Sequence, residues 1–278
     1  TIILSLRGTA NTMDYLTDIN VNTVKYEPVT EHAKKRFDQI GLCENCKVHN
    51  GFYKRFKELE DQIFPTFGKL SEVFPNYKVV LTGHSMGGSL ATLIGLELSL
   101  SGYKPLIIAY GSPKVSNADL SGFMDKMFFI EELFDENIME EGSLTEGNIR
   151  VVHKGDYVPL LPPGNQFVQS GFEFYIEKEA LPHPKSMVQY NGKAKYIQHD
   201  INFNFWDLFS FNWDKMLHLK EHNEYFYRIS TCEDITDKAV KKQSSTTEAN
   251  EPKETDSEGD ESDDDGSAFP TLEESDWQ

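Results

Sequence analysis

Ser85 stands at the centre of Gly83-His84-Ser85-Met86-Gly87, which fits the pattern G-x-S-x-G. The glycines of this pattern allow a sharp turn from a strand into a helix, and that turn projects the serine Oγ. Val79-Val80-Leu81 precedes the turn as a candidate strand, and Ser89 to Leu100 follows it as a candidate helix. The start of that helix presents backbone N–H groups to a developing negative charge. The pattern therefore predicts that Ser85 is a nucleophile.

A nucleophilic serine needs a histidine as its base and an acid that orients the histidine. The strand-to-helix turn is typical of the α/β-hydrolase fold, in which the acid and then the histidine follow the serine along the chain. Asp156 fits as the acid because it lies just beyond the candidate strand Ile149 to Val152, where active-site residues of parallel sheets gather. Four of the eight histidines lie beyond Asp156 and are candidates for the base: His183, His199, His218 and His222.

The elements that must position these residues alternate between β-rich runs and helix-like stretches. Such alternation is typical of a parallel sheet covered by helices, so we predict an α/β fold with a mostly parallel central sheet and helices on both faces. The runs are Thr1 to Leu6, Gly51 to Phe64, Tyr77 to Leu81, Ser89 to Leu100, Pro105 to Tyr110 and Ile149 to Val152.

The first run begins at Thr1 without a preceding Met, so we expect part of the N-terminus to be missing.

Two acidic stretches differ from the predicted fold in composition. Residues 129–147 contain seven Asp and Glu but neither Lys nor Arg, and we interpret them as a surface insertion. From Asp237 onward the sequence is rich in Ser, Thr, Glu and Asp, and such a composition cannot bury enough apolar surface to offset the cost of ordering. We therefore predict a folded domain over residues 1–236 and a disordered acidic tail over residues 237–278, for which solubility is the simplest role.

The net charge of −18 comes mainly from this tail. The last 46 residues hold 16 acids and four lysines, which gives −12 and leaves −6 for the rest of the chain. A mildly acidic body argues against a nucleic-acid partner, because phosphate binding requires clustered Lys and Arg. We predict no transmembrane segment, since no apolar run approaches the roughly 20 residues that a bilayer requires. The sequence does not indicate an oligomeric state.

The three cysteines are Cys43, Cys46 and Cys232. The first two are spaced C-x-x-C without a second such pair or paired histidines nearby, so a zinc site is not expected. We predict either a local disulfide or two free thiols. A disulfide favours the secretory pathway, but the chain contains no N-x-[ST] sequon, and a cytosolic location stays open.

Six segments together resemble the fungal class 3 lipases, the family of yeast and filamentous-fungus triacylglycerol lipases that also contains feruloyl esterases. They occur in the order of that family and span Thr1 to about Ile229. The segments are Leu6-Arg7-Gly8-Thr9, Val48-His49-Asn50-Gly51-Phe52, the Gly83 to Gly87 turn, Tyr110-Gly111-Ser112-Pro113-Lys114-Val115, the Asp156 loop that ends in Leu161-Pro162-Pro163, and Glu221-His222-Asn223-Glu224-Tyr225-Phe226.

The resemblance implies a role for each matched residue. Ser85 would be the nucleophile, Asp156 the acid and His222 the base, with His199 as the alternative base. Thr9 and the backbone N–H of Met86 would form the oxyanion hole. The implied activity is hydrolysis of carboxylic esters, most simply those of triacylglycerols, by a Ser-His-Asp acyl-enzyme mechanism that needs no metal and no cofactor.

The segment after Thr9 has apolar residues at helical spacing, and the family places its mobile lid at this position. The candidate lid residues are Met13, Tyr15, Leu16 and Ile19, although core packing would explain them equally well. Six aromatic residues also precede His222, and they either form core or line an acyl pocket: Phe203, Phe205, Trp206, Phe209, Phe211 and Trp213. A lid and an acyl pocket would suit a lipid ester at an oil-water or membrane interface.

Three other functions stay open. A feruloyl or short-chain esterase would use the same catalytic residues, and a catalytically silent relative would act by binding a partner through its acidic tail. The sequence His218-Leu219-Lys220-Glu221-His222 also fits H-x-x-E-H, a zinc-peptidase pattern. That pattern requires a further ligand downstream and leaves the serine turn and the Asp156 loop unexplained.

Overall fold

The computed structural model describes residues 1–8, 22–135, 144–194 and 220–229. They belong to a compact unit that spans Thr1–Thr231. In chain order the elements are β1 (Ile2–Leu6), β2 (Thr23–Lys25), α1 (Glu31–Ile40), β3 (Lys47–His49), α2 (Asn50–Glu58), α3 (Glu60–Val73), β4 (Val79–His84), α4 (Met86–Leu100), β5 (Leu106–Tyr110), α5 (Ala118–Met127), α6 (Ile130–Asp135), β6 (Gly147–His153), β7 (Phe172–Ile176), β8 (Val188–Lys193), β9 (Glu224–Tyr225) and β10 (Tyr227–Arg228). Short 3₁₀ turns lie at Val158–Leu160, Lys185–Met187 and Glu221–Asn223.

A six-stranded sheet in the order β1-β4-β5-β6-β7-β8 forms the centre of the fold. Strands β1, β4, β5, β6 and β7 are parallel to their neighbours in this order, and β8 pairs antiparallel with β7 at the edge. The register aligns the carboxyl ends of three strands, because His84 pairs with Tyr110 and Tyr110 pairs with Val151. The predicted α/β class with a mostly parallel sheet is thus confirmed, and side chains that follow β4, β5 and β6 lie at one edge.

Helix α4 is the most deeply buried element of the described chain. All fifteen of its residues are buried, because it packs on β4 and β5 from one side and against α1, α2 and α5 from the others. Apolar residues occur all around its circumference, as expected for a helix with no solvent-exposed face. A Cβ atom at Gly95 would press against the Ile107 side chain, so this glycine permits the close approach of α4 to β5. The helix that follows Ser85 is therefore fixed by packing along its entire length.

Glu97 is the charged exception on this buried helix. Its Oε1 accepts hydrogen bonds from the amides of Val29 and Thr30 and from the Thr30 hydroxyl. Burial raises the pKa of this carboxyl, and the hydrogen bonds from Thr30 and Val29 oppose that rise. The carboxylate thus joins α4 to the chain that leads into α1, because Thr30 is also the N-cap of α1.

Several predictions concern segments around this core. Cys43 and Cys46 form a disulfide bond, which was one of the two predicted states. The first part of the acidic stretch 129–147 forms α6, and Ile130 is fully buried there. Residues 136–143 of that stretch, Cys232, and the predicted tail 237–278 lie outside the described residues, so the domain bounds remain a prediction. No helix within the four described ranges is long and apolar enough to cross a bilayer.

Candidate active site

Ser85 occupies the turn between β4 and α4 in a backbone conformation that side-chain-bearing residues rarely adopt. Its φ is 56° and its ψ is −128°, and its amide donates to the Tyr110 carbonyl at 2.9 Å. Ser85 is 2% exposed, and its Oγ has no hydrogen-bond partner among the described residues. Strain of this kind is maintained only where the surroundings fix it, and it is common at active sites. This geometry is the sharp turn that the G-x-S-x-G pattern predicts.

The glycines of the turn are required by backbone contacts on both sides. A Cβ atom at Gly83 would collide with the carbonyl of Gly87, and a Cβ atom at Gly87 would collide with the carbonyl of Leu6. Residue 83 thus lies directly against the start of α4, and residue 87 lies against the end of β1. A side chain at either position would displace Ser85.

Asp156 follows β6 and is 1% exposed. Its Oδ1 accepts from the Val158 amide at 2.9 Å, and its Oδ2 accepts from the Tyr225 hydroxyl. The Nδ1 atom of His222 lies 3.0 Å from Oδ1 and 2.9 Å from Oδ2. The structure therefore brings two of the residues predicted for the site into direct contact.

Charge and hydrogen bonding keep the Asp156 carboxyl ionised. Burial alone raises its pKa, but the charge of His222 and the hydrogen bonds from His222, Tyr225 and Val158 together lower it. A carboxylate only accepts hydrogen bonds, so His222 Nδ1 carries the proton and Nε2 has the free lone pair. His222 is 3% exposed, and its Nε2 has no partner among the described residues. The imidazole thus has the orientation that the predicted base requires.

His84, the residue before Ser85, connects this imidazole to the serine turn. The centroids of the His84 and His222 rings lie 4.4 Å apart, and His84 Nε2 donates to the His222 carbonyl at 2.7 Å. Burial, followed by the charge of His222, lowers the pKa of His84 to about 4. His84 is therefore neutral near pH 7 and adds no repulsion when His222 takes up a proton.

The other predicted residues divide between described and undescribed parts of the chain. Met86 is the buried first residue of α4. Of the alternative bases, His183 accepts a hydrogen bond from the Phe226 amide at its Nδ1, and His199 and His218 lie outside the described residues. Thr9, the candidate lid residues Met13, Tyr15, Leu16 and Ile19, and the six aromatic residues between Phe203 and Trp213 lie outside them too.

Sequence reasoning missed three residues beside the site: Tyr225, His84 and His153. Tyr225 lies three residues after His222 in the matched family segment, which is the signal that could have drawn attention to it. His84 and His153 were considered only as bases and were excluded because they precede Asp156 in the chain. In the structure both donate to carbonyls of the segment that carries His222.

The zinc-peptidase pattern gains no support from the described residues. His222, its second histidine, contacts Asp156 instead of a cluster of ligands. No group of three or more His, Cys, Asp or Glu side chains in the described ranges could hold a metal ion.

The chain is similar to known lipases in both sequence and structure. The sequence model of the family described as Lipase (class 3) matches residues 3–166. A putative lipase of Saccharomyces cerevisiae, LIH1, is 32% identical over 235 residues, which cover 83% of this chain and 70% of that protein. The secreted mono- and diacylglycerol lipase 2 of Gibberella zeae is 33% identical over 192 residues, which cover 66% of this chain but only 45% of that protein.

Solved structures show the same relationship at the level of the fold. The Lip2 lipase of Yarrowia lipolytica superposes with a TM-score of 0.63 and 26% sequence identity, over 81% of this chain and 71% of that one. Lipase II of Rhizopus niveus superposes with a TM-score of 0.55 over 81% of this chain and 73% of that one. The latter pair shares 23% sequence identity, so it supports the α/β-hydrolase fold alone.

Proposed function

The chain belongs to the class 3 lipase family of carboxylic ester hydrolases, and we propose that it cleaves lipid esters with Ser85 as nucleophile, His222 as base and Asp156 as the acid that orients His222. The observation that carries this assignment is the contact between Asp156 and His222 Nδ1 at 2.9 Å, next to the serine turn. Ser85 Oγ and His222 Nε2 are buried and free of partners among the described residues. Such free groups are available to a substrate.

The reaction follows from the charge states of these groups. His222 Nε2 removes the Ser85 proton while Oγ attacks the ester carbonyl, and Asp156 stabilises the resulting imidazolium. The same proton then passes to the departing alcohol, which leaves an acyl group on Ser85. Water attacks this acyl-enzyme by the same route, with His222 again as base, and releases the fatty acid. The neutral His84 ring lies against the His222 ring and adds no positive charge beside it.

Two backbone features support the proposed oxyanion hole of Thr9 and Met86. Met86 is the first residue of α4, and the first N–H groups of a helix have no acceptor within the helix. Gly8, which precedes Thr9, lies so close to the serine turn that a Cβ atom there would be 3.1 Å from the His84 carbonyl and 3.7 Å from the Ser85 Cβ. The chain thus approaches the reacting oxygen immediately before Thr9. Each donor to the oxyanion would contribute roughly 3 kcal/mol in the transition state.

We further propose triacylglycerols at an oil-water or membrane interface as the substrate. The names of the relatives support lipid esters: one is a putative lipase and another a mono- and diacylglycerol lipase. In the site itself Ser85 and His222 are buried, which suits an apolar substrate. A feruloyl or short-chain esterase is the competing function within the same fold.

Hydrolysis of a substrate panel tests this proposal. The panel contains emulsified triolein, p-nitrophenyl esters of increasing chain length and a feruloyl ester, and labelling by a fluorophosphonate reports the nucleophile. We expect triolein cleavage and labelling that both disappear in Ser85→Ala. Both should persist in Ser101→Ala, which removes a hydroxyl at the other end of α4. An active Ser85→Ala protein would overturn the nucleophile assignment, and preference for the feruloyl ester would favour the esterase function.

The dependence of the hydrolysis rate on substrate concentration tests whether the protein acts at an oil-water interface. A lipase that acts at an interface should show a jump in rate once the ester exceeds its solubility limit. Hyperbolic kinetics through that limit would identify a plain esterase instead. Tributyrin suits this measurement because its concentration can be varied from below to above saturation.

A further inference from the structure

Two histidines hold two consecutive backbone carbonyls beside the proposed base. His84 Nε2 lies 2.7 Å from the carbonyl oxygen of His222, and His153 Nδ1 lies 2.8 Å from the carbonyl oxygen of Glu221. His84 ends β4 and His153 ends β6, so both rings are attached to the sheet. The short 3₁₀ turn that carries His222 is therefore fixed to the sheet from two strands.

The hydrogen bonds of His153 define its protonation state. While Nδ1 faces the Glu221 carbonyl, Nε2 faces the Lys178 carbonyl at 3.0 Å. A carbonyl oxygen only accepts hydrogen bonds, and a neutral imidazole has only one N–H. Both contacts are hydrogen bonds only when the ring is an imidazolium with two N–H groups. His153 is 1% exposed, so no water replaces a lost partner without a local opening.

We propose that His153 is a positioning residue for ester hydrolysis: its imidazolium clamps the Glu221 carbonyl, and so the adjacent His222, to the end of β6 and to the loop at Lys178. This inference rests on the proposed role of His222 as base. With a single N–H on the ring, one of the two carbonyl contacts would become a repulsion between lone pairs. The segment that carries His222 would then lose one of its attachments.

The groups around His153 are compatible with a buried cation. His183, whose ring centroid lies 4.5 Å away, is kept neutral because burial and then the charge of His153 lower its pKa. The hydroxyl of Tyr225 accepts from the His153 amide, and its ring meets the imidazole edge-on at 5.8 Å. Asp156 supplies a buried negative charge three residues further along the same loop. Of the other charged groups on the packed segments, Lys154 pairs with Glu179, and Glu224 pairs with Arg228 and Lys220. The Lys178 ammonium donates to the Pro182 carbonyl, Glu177 accepts from the Gln189 amide, and Glu221 adds a further carboxylate.

A pair of isosteric variants separates the two hydrogen bonds. The amide nitrogen of Asn can take the place of imidazole Nδ1, and that of Gln the place of Nε2, and neither amide titrates. His153→Asn therefore keeps the donor to Glu221, and His153→Gln keeps the donor to Lys178. We expect the kcat of His153→Asn to stay within about threefold of the unsubstituted enzyme, whereas His153→Gln loses about tenfold or more. KM should be the same in both variants, because neither amide contacts substrate.

The same two variants give the outcome that would contradict the proposal. Equal kcat values for His153→Asn and His153→Gln, whether high or low, would overturn the proposed positioning role.

Nitrogen NMR of labelled histidine tests the clamp without any turnover. We expect both ring nitrogens of His153 to carry protons in the folded protein, because both face carbonyl oxygens. The proton shared by His222 Nδ1 and Asp156 should give a low-field signal that broadens in His153→Gln and stays sharp in His153→Asn. A single protonated nitrogen on His153 at every pH at which the protein is folded would contradict the clamp. This result would be independent of whether the chain hydrolyses lipid esters.

Discussion

His222 Nδ1 lies within 3.0 Å of both carboxylate oxygens of Asp156, although 66 residues separate the two in the chain. Asp156 is held in turn by the Val158 amide and the Tyr225 hydroxyl. Every polar atom of the carboxylate is thus engaged before a substrate arrives. Preorganisation of this kind lowers the cost of forming an imidazolium during the reaction.

Substitution of Asp156 by Asn tests the orientation of His222. The amide group can present its N–H to Nδ1 and would then stabilise the wrong tautomer, with the proton on Nε2. We expect kcat to fall by about 10⁴-fold, with little change in KM. Steady-state kinetics on a soluble p-nitrophenyl ester measures both quantities. Asp119→Asn, an exposed change in the first turn of α5, is the matched control and should leave kcat unchanged.

Substitution of Tyr225 by Phe removes one hydrogen bond to the carboxylate. That hydrogen bond lowers the pKa of Asp156, so its loss should raise this pKa and weaken the carboxylate's hold on His222. Hydrogen bonds to charged groups contribute about 1.5–3 kcal/mol, which corresponds to a loss in kcat of tenfold or more. Tyr227→Phe is the control, since Tyr227 is 81% exposed. An unchanged kcat in Tyr225→Phe would show that the hydroxyl does not support the Asp156 carboxylate.

Two glycine-to-alanine substitutions should act in opposite directions. At Gly87 the new methyl group collides with the Leu6 carbonyl, so we expect a loss of about 3 kcal/mol or more in the free energy of unfolding. At Gly122, inside α5, an added Cβ meets no atom within 4 Å. Ala there should stabilise the protein by about 0.5–1 kcal/mol. Urea unfolding measures both changes, and equal effects would contradict the close packing of the serine turn on β1.

Two buried histidines should make the protein less stable in mild acid. Burial lowers the pKa of His49 to about 4, and burial together with His222 lowers that of His84 to about 4. Because the folded-state pKa lies below the unfolded value of about 6.5, each contribution is present above that value and is lost as the pH falls towards 4. Each lost contribution amounts to as much as about 3 kcal/mol. Urea unfolding at several pH values measures this decrease in the free energy of unfolding.

His49→Asn isolates one of these contributions. The His49 Nδ1 accepts from the amides of Gly51 and Phe52 as the N-cap of α2, and the Asn side-chain oxygen can take over that role without titrating. We expect the fall in stability between pH 6.5 and pH 4 to become smaller by up to about 3 kcal/mol. His32→Asn, at an exposed position of α1, controls for the loss of a histidine. If the free energy of unfolding of His49→Asn depended on pH in the same way as that of the unsubstituted protein, His49 would not be a cause of the lower stability in acid.

Much of the fold could be predicted from local sequence. The alternation of β-rich and helical runs indicated β1, β4, α4, β5 and β6 in their parallel arrangement, because apolar periodicity and glycine turns are local signals. The turn at Ser85 and the position of Asp156 after β6 were also predicted correctly. These features depend on residues that are neighbours in the sequence.

The remaining features depend on contacts between distant residues. The antiparallel edge strand β8 carries no turn pattern that distinguishes it from the parallel strands before it, and its pairing with β7 contains a register shift between Glu173 and Phe174. Order along the chain left four histidines as candidates for the base, and the Asp156 contact distinguishes His222 from His183. The double hydrogen bond of His153 depends on two carbonyls that lie 25 and 68 residues away, and no local pattern encodes such a contact.

The separation of Asp156 and His222 also has a consequence for synthesis. A ribosome adds about 5–20 residues per second, so the 66 residues between the two take roughly 3–13 s to translate. During that interval β1 and β4 to β8 can already pair, because all of them precede residue 194. The nascent chain can then hold the paired strands and the Ser85 turn before His222 has been synthesised. If Ser85 and His222 act as proposed, hydrolysis therefore becomes possible only once His222 has been translated, when the strands of the sheet can already have paired.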